Sequence, residues 1–168
     1  MDGYSINGLP LHILIVHVVV IVVPIAALVV LVAAVWPRAR RWLGLVTPIL
    51  GILAALVVPL ATQAGAWLED RLRSAPLIEK HAALGDTLWP WTLALAILSV
   101  VVYVWYRVVD KRPTDAPPSR SVRRLVAIVL AVAAVVVVPT GITLTVLIGE
   151  SGSRAVWEGS YSDTPVDR

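Results

Sequence analysis

The sequence predicts an all-α integral membrane protein, a bundle of four transmembrane helices. Three observations predict it. Of the 168 residues, 58% are hydrophobic and only 15% charged, too little polar surface to cover a water-soluble core. Four uncharged runs are each long enough to cross a bilayer, which takes about 20 residues. Within each run Leu, Ile, Val and Ala occupy every side, whereas the strands of a membrane barrel alternate apolar and polar over about 10 residues.

The runs define the elements in order. Leu11 to Trp36 is the first, Trp42 to Leu68 the second, Thr87 to Tyr106 the third and Leu125 to Gly149 the fourth. The third helix is expected to begin earlier, near Glu79. The corresponding spans are about 11–36, 43–66, 81–106 and 124–149. Residues 1–150 then form one four-helix domain and 151–168 a polar tail, rich in Gly, Ser, Asp and Pro and at least partly flexible. The loop between the third and fourth runs, with Pro113, Pro117 and Pro118, is expected to be irregular.

Loop charge orients the spans. Arg38, Arg40 and Arg41 lie in the first loop, and Arg107, Lys111, Arg112, Arg120, Arg123 and Arg124 in the third. The opposite side holds Arg71, Arg73, Lys80, Arg154 and Arg168. Basic residues favour the cytoplasmic side, so both termini are expected to be extracytoplasmic. Tryptophan agrees: Trp36, Trp42 and Trp105 mark one interface, and Trp67, Trp89, Trp91 and Trp157 the other. The first run has three arginines after it and none before it, unlike a cleaved signal peptide. The net charge of +3 is a topology signal and does not point to nucleic acid. Arginine outnumbers lysine twelve to two, and with abundant Ala and Val this suggests a GC-rich bacterial gene and a bacterial cytoplasmic membrane.

A weak tandem repeat is visible. His12 precedes Trp36 by 24 residues, and His81 precedes Trp105 by the same interval. At this offset His17 aligns with Asp86. The even runs each carry Val-Val-Pro, at Pro59 and Pro139. These features suggest a two-plus-two arrangement of helical hairpins, with the first and third helices parallel; chance matching in a Val-rich sequence is the plain alternative. Pro24, Pro59 and Pro139 interrupt the runs, as hinges or, more simply, as ordinary membrane-helix prolines. Gly44, Gly51 and Ala55 read as a packing stripe. Thr140 and Thr143 are placed to bond carbonyls near Pro139.

The chemistry-bearing residues gather at the extracytoplasmic ends. Ionisable groups at membrane depth are costly and usually face protein, which singles out His12, His17, His81 and Asp86. Neutral imidazole ligates haem iron and transition metals. His12 and His81, on separate helices, are the candidate cofactor ligands for haem b or a metal, with His17 and Asp86 as further metal ligands. His12 and His17 stand about 140° apart on a regular helix, so separate pairings are expected, His12 with His81 and His17 with Asp86. The second pairing could handle protons or ions. The plain reading makes all three histidines structural. Glu69 and Asp70 read as a solvated loop beside Arg71 and Arg73, and Glu150 could reach the histidine layer. There is no cysteine, no phosphate-binding glycine loop, no nucleophile elbow and no HExxH, so no catalytic constellation is recognisable. Three function classes stay open: a small membrane redox or metal protein, a non-catalytic accessory subunit of a larger membrane complex or homo-oligomer, and a proton or small-solute carrier.

Asn7-Gly8-Leu9-Pro10-Leu11-His12 with His17, Thr62-Gln63-Ala64-Gly65-Ala66-Trp67-Leu68-Glu69, His81-Ala82-Ala83-Leu84-Gly85-Asp86, and Gly149-Glu150-Ser151-Gly152 through Ala155-Val156-Trp157 resemble the motifs of a bacterial membrane family known as domain of unknown function 2231. The resemblance covers nearly the whole chain and implies a four-span membrane fold without a settled activity. Relatives often carry proline where Ile13 and Val18 or Val19 stand here. Some have histidine in place of Glu150, so the resemblance does not imply a four-histidine site in this chain.

Overall fold

A computed structural model describes residues 4–109, 118–162 and 164. Lys111, Arg112, Pro113 and Pro117 of the third loop, and the end of the tail, lie outside the described residues.

The chain opens with a small hairpin, β1 Ser5–Ile6 and β2 Leu9–Pro10. Asn7 and Gly8 turn it with φ of 50° and 80°, the left-handed pair that a tight two-residue hairpin needs and that Asn-Gly supplies with little strain. Helices follow as α1 Leu11–Val35, α2 Pro37–Leu43, α3 Val46–Glu69, α4 Pro76–Asp86, α5 Leu88–Val104 and α6 Arg120–Trp157. A π-helical turn, Trp105–Val109, ends α5. Four segments are long and apolar enough to cross a membrane: α1, α3, α4 through α5 to Arg107, and α6. The all-α, four-span class is therefore the observed one.

Each span packs beside its neighbours in sequence, and α6 closes the ring against α1. Short connections require successive spans to run antiparallel. The buried seam is rich in small and β-branched residues: Val23, Ala26, Val30 and Ala33 of α1, Ala54 and Val58 of α3, Ala96 and Val102 of α5, Ala134 and Val138 of α6. In lipid there is no hydrophobic drive between helices, so small side chains that let backbones approach provide the association. Ile21, Leu28, Leu56, Ile97 and Val132 point away from the bundle, as lipid-facing residues do. Helices α3 and α5 approach closely at Gly51, where an added Cβ would lie 2.7 Å from Ser99 Cβ and 3.3 Å from Ala96 Cα.

The observed boundaries depart from the expected ones where local backbone chemistry outweighs hydropathy. Pro37 starts a separate short helix, α2, because proline suits a first helical position. Gly44, with φ of 47°, ends α2 in a conformation that a side chain would oppose. It therefore lies in a turn and is not part of a packing stripe on α3. The third span begins at Pro76 and is divided at Thr87, whose amide and hydroxyl both bond the Leu84 carbonyl at 3.1 and 2.7 Å. The fourth runs to Trp157, so residues 151–157 continue the helix. The helices pass through Pro24, Pro59 and Pro139 without interruption. Beside Pro139, Thr140 donates to the Val136 carbonyl at 2.8 Å.

Candidate functional site

The end of the bundle that carries both termini gathers the helix starts of α1 and α4 with the helix ends of α3 and α6. Pro10 immediately precedes α1, so His12 falls in its first turn. Pro76 starts α4 and puts His81 in its second turn. The two imidazoles meet in the bundle, their ring centroids 6.1 Å apart and their planes inclined at 75°.

Each ring is anchored to a different helix. His12 Nδ1 lies 2.9 Å from the carbonyl of Ala61 on α3. A carbonyl only accepts, so Nδ1 carries the proton. His81 Nδ1 lies 3.0 Å from Ser151 Oγ on α6. The Ser151 hydroxyl proton is already donated to the Ile148 carbonyl at 2.8 Å, so here too Nδ1 is the donor. Both imidazoles therefore hold hydrogen at Nδ1, and in the neutral form each has its lone pair on Nε2. His12 Nε2 has no hydrogen-bond partner among the described residues, while the His81 ring also meets the Ile148 backbone carbonyl.

A glycine seats each ring. A Cβ at Gly65 would lie 3.0 Å from His12 Cε1 and Nδ1, and one at Gly152 would lie 2.9 Å from His81 Cε1. The parallel is close: a histidine opening one span rests on a glycine near the end of the span that follows it.

The other candidates stand elsewhere. His17 is exposed on α1 and donates from Nδ1 to the carbonyl of Ile13, one turn back, at 2.6 Å. Asp86 is exposed at the end of α4. No hydrogen bond or ion pair joins His17 to Asp86, so the expected pairing is not formed. The reason is rotation: five residues carry His17 about 140° around α1 from His12, onto the face away from the bundle. Among the described residues no cluster of three His, Asp or Glu side chains could hold a metal ion. A centre drawing three or four ligands from His12, His17, His81 and Asp86 is thus not assembled, and only His12 and His81 meet. Glu150 turns outward to Arg154, at 2.8 Å, and it is Ser151, one residue on, that reaches the histidine layer. Glu69 is the last residue of α3, half-buried and within electrostatic reach of His81, rather than part of a solvated loop.

Ser151, Gly65, Gly152 and the Ala61 carbonyl were not among the expected site residues. The two glycines had a signal, since each stands within a motif at a helix end near a tryptophan. The carbonyl had none.

Above the histidines, the N-terminal hairpin is held by the Leu11 amide on the Tyr4 carbonyl at 2.8 Å. The Tyr4 ring stands 6.1 Å from that of Trp67, and Arg71 covers Trp67 at 4.0 Å.

A model of the predicted membrane protein family DUF2231 matches residues 8–165. The chain belongs to this family. The match takes in all four spans of the DUF2231 protein, both histidines of the pair and both glycines beneath them. No curated protein and no solved structure matches it significantly.

Proposed function

We propose that this DUF2231 protein is a multi-pass protein of a bacterial cytoplasmic membrane, with both termini extracytoplasmic, that binds haem b or a transition metal through His12 and His81. Its role would be electron transfer or another redox function at the extracytoplasmic face. The observation that carries this reading is the meeting of His12 and His81, each fixed through Nδ1 to a different helix. Metal-ligating histidines use this arrangement, the second nitrogen setting tautomer and orientation. The ring spacing supports it as well. With metal–nitrogen bonds of about 2.0–2.1 Å, two imidazoles on nearly opposite sides of one ion have centroids about 6 Å apart. The loop arginines support the orientation, because basic residues favour the cytoplasmic side.

The test is visible absorption and metal analysis of the purified, folded chain. A Soret band or a stoichiometric metal that disappears in both His12→Ala and His81→Ala is expected. Folded protein with neither signal, after reconstitution with haem and with Cu or Zn, overturns the proposal.

A second reading has its own observation. His12 joins α1 to α3, and His81 joins α4 to α6, each by a hydrogen bond. Both are then structural ties in an accessory subunit of a larger membrane complex. This reading predicts that the two alanine variants lose thermal stability and no spectroscopic signal, and that the chain purifies from native membranes with partners.

A further inference from the structure

At the end opposite the histidines, α2 lies between α1 and α3 with two distinct faces. Ala39, Arg40 and Leu43 turn toward the bundle and are partly buried, while Arg38, Arg41 and Trp42 are exposed. On a helix the second set falls within an arc of about 100°, so the two guanidiniums and the indole share one face. Trp42 is 85% exposed, more than any other large hydrophobic residue described. Arg40 is what holds this orientation. Its Nε donates to the Ala33 carbonyl at 2.8 Å and one terminal nitrogen to the Ala34 carbonyl at 3.1 Å. Its guanidinium also lies 3.3 Å from the centre of the Tyr106 ring. With Arg40 bound to the last turn of α1 and to the end of α5, α2 cannot roll, and Arg38 and Arg41 are left facing out. Neither makes an ion pair or hydrogen bond among the described residues. Arg107, Arg120 and Arg124 are exposed at the same end.

We propose that Arg38 and Arg41 form a binding site for the phosphodiester headgroup of an anionic phospholipid, with Trp42 set beside it at the interface. The chemistry is that of arginine toward phosphate. A planar guanidinium presents paired N–H donors to phosphate oxygens, and residues three apart on one helical face can engage one headgroup together. Charge complementarity selects an anionic lipid over a zwitterionic one, since the loops of this end carry nine basic residues against Asp110 and Asp115. The exposed indole beside the arginines selects a lipid over a soluble phosphate, because tryptophan partitions to the headgroup region. The site is separate from the histidine pair and does not depend on the function proposed for it.

Native mass spectrometry of the full chain tests this, with phosphatidylglycerol, cardiolipin, phosphatidylcholine and inorganic phosphate supplied in turn. Phosphatidylglycerol or cardiolipin should be retained in preference to phosphatidylcholine. Arg38→Gln/Arg41→Gln should weaken that retention roughly thirtyfold, from the worth of two basic residues near an anionic surface. Arg120→Gln/Arg124→Gln should change it far less. Equal retention of phosphatidylcholine by the wild-type chain, a measurement that needs no variant to fold, overturns the proposal. So does undiminished retention in the Arg38/Arg41 variant. Full displacement of the lipid by millimolar inorganic phosphate would assign the site to a soluble anion and overturn the lipid.

Discussion

The two ends of the bundle solve the same problem with opposite chemistry. At both, a polar side chain ties neighbouring helices where backbone carbonyls and hydroxyls are available. At the arginine end, Arg40 points its donors into the closing carbonyls of α1 and lays its face on Tyr106. A guanidinium has no acceptor and no lone pair to offer, so this joint is a clasp. At the termini end, each histidine is anchored to the scaffold through Nδ1. Imidazole is the side chain that can be fixed and still present a lone pair. A joint made by Arg40 can therefore only hold, whereas imidazole at His12 and His81 has the chemistry of a ligand as well.

The largest effect should come from breaking the clasp. Arg40→Ala removes two charge-assisted hydrogen bonds and a cation–π contact, and should cost about 2–4 kcal/mol, read as a lower thermal transition in detergent. Arg40→Lys keeps the charge but loses the planar fork, and should recover less than half of it. A lysine variant as stable as wild type would show that charge alone matters there. Next comes the seat of the histidine joint. Gly152→Ala sets a methyl against His81 and Gly65→Ala sets one against His12. Because the ring must move, each should cost about 1–2 kcal/mol and should perturb any cofactor spectrum without removing a ligand. An unchanged spectrum in both would count against the seats.

Smaller again is the loss of the ties themselves. His12→Ala and His81→Ala each delete one neutral hydrogen bond, worth about 1 kcal/mol, and the double variant measures coupling across the 6.1 Å contact. His17→Ala is the smallest, within about 0.5 kcal/mol, since its ring bonds only its own helix. A loss at His17 equal to that at His12 would erase the distinction between the paired and the outlying histidine.

Much of this molecule was legible in one dimension. Hydropathy runs located four spans because crossing a bilayer is a demand on each segment separately. Loop arginines and tryptophans sorted the chain into two ends for the same reason. His12 and His81 were identifiable as partners because each opens a span at the same end. The breaks at Gly44 and Thr87 are not legible, since uncharged sequence runs through Gly44, helix is expected from near Glu79 through Thr87, and only the local backbone bonding interrupts either helix. Glu150 was favoured over Ser151 because charge is conspicuous, yet one residue rotates a helix by about 100° and sent Glu150 outward to Arg154.

The class of fold, the number of spans and the residues that share an end follow from the composition of each segment alone. Which residues share a face follows instead from how the helices pack. That the histidines rest on Gly65 and Gly152, that His17 turns away, and that Arg40 turns inward while Arg38 and Arg41 turn out all depend on helix rotation. Rotation is set by how small residues such as Gly51 and Ala54 let neighbouring backbones approach, and that fit exists only once the helices stand side by side.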